Sequence, residues 1–409
     1  HISKHKDFHY FAGSSTSTSS IESVFGEVRY RYKERYGIHG TIRGDGSSTF
    51  GPGYRWGLFG GVGATWTISS EEFMQGVNLL RDLKLKASWG VLGNQNVGSY
   101  LYTNRYSIVN VGGQTGIYQS YIGTPNLTWE SSNMANVGVE FSLGKYLSAE
   151  IEYFYKYTTN MLFSIAVAPS TGFGSRAVND AMMVNQGVDF MFNIHAVNTN
   201  AVKLDIRLNG GHYDNEMVKM PKDALGKEMV MNGSMAQGFS MLDHYMAEYR
   251  GVDKTGQAHY TVWYDPAKYT REAAEVDING DNATGQASIL SVHQYILTNY
   301  KDHENFKQYM RTGDPSCILE EITTANGAYA SNFYVGKSYM PALQGGFGFD
   351  LTVYGVDIAA SFQYSVGGWG YDNVYATLMH SERAGQNNWH KDMYSNRWTE
   401  AMSDPKVWG

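Results

Sequence analysis

The chain has 409 residues, with 46 glycines, 31 tyrosines and only 8 prolines, a balance that favours many short strands with permissive turns and points to an all-β fold. A net charge of -7 supplies no basic patch for nucleic acid, and 17% charged residues is low for a soluble surface of this size. The single cysteine, Cys317, excludes an intrachain disulfide and a multi-cysteine zinc site.

Period-two alternation predicts ten strands. Val28, Tyr30 and Tyr32 alternate with Glu27, Arg29 and Arg31, and Lys33-Glu34-Arg35 turns the chain into Tyr36, Ile38, Gly40 and Ile42. After a loop at 44–53, Leu58, Val62, Ala64, Trp66 and Ile68 form a third strand. A link at 69–81, with room for one helical turn around Glu71-Glu72-Phe73-Met74, leads to Leu83, Leu85, Ala87, Trp89 and Val91. A long loop is expected at 93–132. Strands at Val137 to Leu143 and Leu147 to Tyr155 are joined only by Gly144-Lys145-Tyr146, a tight hairpin. The chain is expected to leave again at 161–180, then to form strands at Val188 to Ala196 and Val202 to Leu208 around Asn198-Thr199-Asn200. A very long connection is expected at about 211–345, with extra strands at 241–249 and 259–264. The clearest hairpin closes the series: Phe347, Phe349, Leu351 and Val353, then, after Tyr354-Gly355, Val356, Ile358, Ala360, Phe362, Tyr364 and Val366.

No apolar run approaches the roughly 18 to 20 residues of a transmembrane helix, so a membrane crossing must use strands closed into a barrel. Alternation alone fits such a barrel or a soluble sandwich, including a soluble or surface-attached β-rich glycan-binding protein. The order of the links separates them. Odd-numbered links read as short and even-numbered links as long, the asymmetry of a bacterial barrel with brief periplasmic turns and extended extracellular loops. On this reading Phe347, Phe349, Leu351, Ile358, Ala360 and Phe362 face lipid, while Asp350, Asp357 and Gln363 face the lumen. Tyr30, Tyr32, Tyr153, Tyr155, Tyr157 and Trp89 fall toward strand ends, where interfacial aromatic girdles sit.

Specific blocks carry more than pattern. Tyr30-Arg31-Tyr32-Lys33-Glu34-Arg35-Tyr36, Arg43-Gly44-Asp45-Gly46-Ser47-Ser48 and Arg55-Trp56-Gly57-Leu58-Phe59 are followed in order by Leu83-Lys84-Leu85-Lys86-Ala87-Ser88-Trp89-Gly90, Gly93-Asn94-Gln95-Asn96, Asn126-Leu127-Thr128-Trp129-Glu130 and Tyr249-Arg250-Gly251-Val252-Asp253. Then come Gly336-Lys337-Ser338, Tyr364-Ser365-Val366-Gly367-Gly368 and Asn388-Trp389-His390-Lys391-Asp392. In sequence and order this series resembles the SusC/RagA family of TonB-dependent outer-membrane transporters of the Bacteroidetes. The resemblance implies that residues 1–409 are part of a barrel of about 22 strands. It also implies a plug domain, an N-terminal extension and final strands not visible in this chain, which opens at His1-Ile2-Ser3 without a secretory leader pattern. Implied partners are TonB, a SusD-like surface lipoprotein, outer-membrane lipid, and an oligosaccharide or oligopeptide substrate. The implied assembly is a dimer of transporter–lipoprotein pairs.

No catalytic constellation is read from the sequence, and no cofactor or metal is expected. Trp263, Tyr264 and Trp369 lie in or beside long loops, where aromatic faces suit sugar rings or peptide groups, and are the candidate substrate-facing residues. Asp277-Ile278-Asn279-Gly280-Asp281-Asn282 has the oxygen spacing of the start of a calcium loop but lacks the closing carboxylate, so a plain turn is favoured. His1, His5 and His9 have helical spacing but sit in a Ser/Thr-rich approach, and a solvated segment is favoured there as well.

Overall fold

The computed structural model describes residues 18–379, except 96, 97, 99, 224, 225, 227 and 231–234, together with 389–395. His1, His5 and His9 lie outside the described residues. Strands β1 (Ile21–Tyr32), β2 (Tyr36–Ser47), β3 (Trp56–Thr67) and β4 (Leu80–Asn94) pair in turn, and the connection beyond β4 makes a separate hairpin, β5 (Arg105–Val111) with β6 (Gln114–Tyr121). The main sheet resumes with β7 (Glu130–Leu143), β8 (Leu147–Ala166), β9 (Ser175–Asn198) and β10 (Val202–Lys219). A folded insertion follows. It comprises β11 (Asp243–Ala247), β12 (Tyr249–Val252), β13 (Ala258–Tyr264), α1 (Arg271–Asn279), α2 (Val292–Asn299), α3 (Phe306–Thr312), β14 (Glu320–Thr324) and β15 (Asn332–Ser338). Finally β16 (Leu343–Val353) pairs back onto β10, and β17 (Val356–Val366) completes a ten-stranded antiparallel meander in chain order.

The ten main strands are the ten read from the alternation, and their register sorts the side chains as expected. Leu204, Leu351 and Ile358 occupy one rung, Ile206, Phe349 and Ala360 the next, and Leu208, Phe347 and Phe362 the third. Phe347 and Phe362 stack with their ring centroids 4.8 Å apart. Because successive side chains alternate across a sheet, Lys203, Asp205, Arg207, Asp350, Asp357 and Gln363 share the opposite face. The apolar face carries an aromatic row at its short-turn end. Tyr32, Tyr36 and Trp66 stack across β1 to β3 at 6.4 and 6.5 Å, and the Tyr36 hydroxyl, Trp66 Nε1 and Arg35 all donate to Glu71 in the β3–β4 link. Trp89 and Tyr155 flank Ala135 but lie well inside β4 and β8, because β8 runs on to Ala166; the expectation that they fall toward strand ends is corrected on that ground.

The link lengths differ from the sequence reading in three places. The connection expected at 161–180 shrinks to 167–174, because β8 and β9 keep pairing out to Ala166 and Ser175. A bulge at Thr158–Met161, where Asn160 takes a left-handed φ of 54°, interrupts the alternation there without ending the ladder. The expected loop at 44–53 likewise starts later, since β2 continues through Ser47. The β3–β4 link, with short 3-10 turns at Ile68–Ser70 and Glu72–Met74, is therefore longer than both. Strict odd-short, even-long parity fails, although the main sheet's turns of three residues or fewer all fall at one end. The β5–β6 hairpin also went unread, despite its Gly112-Gly113 turn with φ of 63° and 85° at both central positions.

Candidate functional site

Charge on the polar face of the sheet is paired across strands rather than scattered. Lys86 on β4 contacts Glu150 on β8 and lies 3.5 Å from Glu140 on β7, with Lys84 3.8 Å from the same Glu140. Arg207 on β10 meets Asp350 on β16 at 2.8 Å, and His195 on β9 lies 2.5 Å from Asp205 on β10. Tyr213 donates to Asp189 at 2.6 Å, and Asn215 donates to Asn185 at 2.7 Å. Placed in hydrocarbon such groups would each cost several kcal/mol, so this face is the wet one and the Phe347–Phe349–Leu351 face is the one suited to lipid. A cavity of about 920 Å³ opens on the wet side beside β10, β16 and β17, where Gly211, Gly346 and Gly348 leave room above Arg207, Asn209 and Tyr213.

At the long-loop end, residues 220–342 build a domain with its own interior. The central strand β13 separates two cores. Its alternate residues Val262 and Tyr264 pack with Ala274, Ile278 and Ile322, while Trp263 packs with Val292, Ile296 and Phe333 on the other side. Trp263 is 5% exposed and Tyr264 0%, so neither presents a ring to solvent. The sequence reading of these two as substrate-facing is corrected on that ground. A strand buried on both faces reads as a continuous apolar run, not as an alternating one, and so resembles an aromatic loop. Tyr264 donates to Glu320, and burial together with that carboxylate pushes its pKa up to about 12.

Asp265, which follows β13, is 2% exposed and accepts hydrogen bonds from the Tyr295 and Tyr300 hydroxyls at 2.5 Å each and from the Ala267 N–H at 2.9 Å. Burial alone would raise its pKa; these donors and Lys268 outweigh that and hold the carboxyl below its ordinary value. Asp277 lies in the last turn of α1, not in an open loop. Its carboxylate accepts from the Thr284 hydroxyl and, at 2.7 Å, from the Ala287 N–H, which makes it the lock of the turn after the helix. Among the described residues, no group of three or more His, Cys, Asp or Glu is disposed to hold a metal ion.

His293 on α2 is fully buried in an aromatic cage, edge-on to Phe239 at 4.8 Å and to Tyr334 at 5.5 Å, with Nδ1 2.8 Å from the Tyr309 hydroxyl. Burial pushes its pKa down to about 3 from an ordinary 6.5. The folded domain therefore binds fewer protons at this site than the unfolded chain. The associated stability is present above pH 6.5 and is lost progressively as pH falls toward 3. Between pH 7.5 and 5 the loss should be roughly 2 kcal/mol. Proteolytic resistance of the domain in urea, compared at the two pH values, should fall for the parent and fall distinctly less for His293→Leu; equal slopes would remove His293 as the cause.

Trp369, just past β17, is 55% exposed, with Lys337 Nζ 3.9 Å above one face of its ring. Its backbone is fixed: the N–H donates to the Ser338 carbonyl at 2.8 Å, and the carbonyl lies 3.0 Å from His244 Nε2. Of the three candidate aromatics, only Trp369 offers an accessible ring.

Residues 6–378 match the family model described as TonB dependent receptor-like, beta-barrel. The chain is 35% identical over 192 residues to TonB-dependent receptor P26 of Formosa agariphila, an alignment covering 46% of this chain and 19% of that protein. It is 31% identical over 212 residues to TonB-dependent receptor SusC of Bacteroides thetaiotaomicron, covering 49% and 21%. Among solved structures it resembles a chain of the RagAB peptide importer in the closed-closed state, with a TM-score of 0.70 and 25% identity over 95% of this chain and 38% of that one. The match thus spans about a fifth of these curated relatives and under two-fifths of the solved chain. The chain belongs to the TonB-dependent receptor β-barrel family of the outer membrane, and within it is of the SusC/RagA kind.

Proposed function

We propose that this chain is the wall and mouth of an importer that takes up oligosaccharide or oligopeptide across the outer membrane, driven through TonB and closed from outside by a SusD-like lipoprotein. The carrying observation is the pairing of a continuous ten-stranded wall, apolar on one face and ion-paired on the other, with a folded domain at the end opposite the short turns. In barrels of this class the short turns are periplasmic, so the 220–342 domain lies outside the cell. On this reading β1 and β17 pair with further strands of the same barrel, because bare edges cannot stand in lipid. The plug and the N-terminal extension belong to other parts of the protein. The extracellular domain forms part of the lipoprotein's seat and the upper wall of the substrate chamber, and Trp369 presents the ring face not covered by Lys337 to the substrate. Two such transporter–lipoprotein pairs associate as a dimer.

Because the two cores of the domain run from Ala236 to Tyr334, a partial excision would leave a broken interior. The informative variant replaces residues 221–341 with a flexible Gly-Ser linker of about ten residues, long enough to run from Met220 beyond the end of β10 back to Ala342 ahead of β16, since these two strands pair only as far as Gly211 and Gln344. Barrel assembly, read as heat-modifiable migration on gels, should persist, while lipoprotein co-purification and substrate uptake fall together. Parental co-purification and uptake in the excised variant would overturn the assignment.

A further inference from the structure

Between the end of β13 and helix α2, the extracellular domain holds a cleft of about 610 Å³, within the roughly 300 to 1,000 Å³ range of small-ligand sites. Every formal charge at this cleft is engaged by the protein itself. Asp265 is saturated by Tyr295, Tyr300 and the Ala267 N–H, and Lys268 Nζ donates to the Tyr295 hydroxyl at 2.7 Å and lies over its ring at 4.9 Å. The floor is thus rigid and electrically closed. What faces the opening is neutral: the side chains of Tyr269, Gln286, Gln294 and Thr298 line it and make no hydrogen bond to other described residues. Amides and hydroxyls of this kind supply both donors and acceptors, which neutral sugar hydroxyls satisfy in pairs. Phosphate, a uronate or a peptide terminus would meet only Lys268, whose ammonium already donates to Tyr295 and lies 3.9 Å from Asp265, so its charge is largely offset and the anion's lost solvation is poorly replaced.

We propose that this cleft binds a neutral oligosaccharide segment, held by the amides of Gln286 and Gln294 and the hydroxyls of Thr298 and Tyr269 over the Asp265–Tyr295–Tyr300 floor. The assignment rests on the import reading only in placing the domain outside the cell; binding itself needs no transport. The test is calorimetric titration of the whole purified transporter with neutral gluco-, manno-, xylo- and galacto-configured hexasaccharides, an oligogalacturonate and a neutral hexapeptide. At least one neutral glycan should bind the parent. Gln294→Ala combined with Thr298→Ala should weaken it roughly 10- to 100-fold, the expected effect of removing about two hydrogen bonds. Gln308→Ala on α3, away from the cleft, should bind as the parent does. No neutral glycan binding, a preference for the uronate or the peptide, or parental affinity in the double variant would each overturn the proposal. Uptake by cells is scored separately: binding retained with uptake absent would count against the import reading and leave the cleft standing.

Discussion

Trp263→Ala should unfold the domain inserted between β10 and β16 while the membrane wall stays assembled, at a cost of about 3 to 5 kcal/mol to the domain. The indole is 5% exposed and meets Phe333 edge-on at 5.6 Å, with Val292 and Ile296 completing the contact. Truncation leaves a void that close-packed neighbours fill only in part, and for a domain of this size that is a large share of its total stability. No barrel-strand side chain belongs to the Trp263 core, whose buried residues run from Ala236 to Tyr334, and β10 meets it only through the backbone pairing of Met217 with Gly238 and Phe239. Two readouts separate the outcomes: urea-dependent proteolysis reports the domain, and heat-modifiable migration reports the barrel. Unchanged proteolysis would mean that Trp263 is not a core residue. Simultaneous loss of the folded barrel band would mean that domain and wall are one cooperative unit. Trp369→Ala, by contrast, removes an exposed ring and should shift stability by no more than about 0.5 kcal/mol.

The membrane wall was legible in the sequence because lipid and lumen impose opposite demands on alternate residues. Phe347, Phe349 and Leu351 against Gly348 and Asp350 could be read directly as two faces. The cross-strand partners were not legible. Arg207 and Asp350 meet only because β16 returns to β10 after the whole insertion, a fact that no local pattern encodes. The domain was less legible for a related reason. Its strand β13 is buried on both sides, and its helices, of nine, eight and seven residues, are too short to show a clear apolar stripe. Local signals did exist: Thr270 caps α1 by accepting from the Ala273 N–H, and Gly313 ends α3 in a left-handed conformation. Asp265 could not have been identified as a latch, since its two tyrosine partners lie on and after α2, 30 and 35 residues away.

Phe349→Arg should destabilise the barrel by about 2 to 4 kcal/mol, and Ile358→Arg, roughly 5 Å nearer the turn, should cost less. Both residues project from the apolar face, but their depths differ. Ile358 shares a rung with Leu351 close to the Tyr354-Gly355 turn, while Phe349 sits one rung further in, between Ile206 and Ala360. At about 3.4 Å per residue and a tilt near 45°, Phe349 lies roughly 13 Å above that turn, close to the centre of a hydrocarbon band about 25 Å tall. A guanidinium there cannot reach water without distorting the bilayer, whereas one at Ile358 has a shorter way to the interface at the short-turn end. Asp350, next along β16, points the other way and is paired with Arg207, so Asp350→Asn should alter lumenal charge with little effect on insertion. Spin labels at 349 and 350 decide the register independently of stability. The label at 349 should be accessible to oxygen dissolved in lipid and the label at 350 to a water-soluble relaxant. The reverse pattern would flip every side chain of the wall to the opposite face, taking the ion pairs of Lys86, Glu150, Arg207 and Asp350 into lipid, where their desolvation could not be recovered.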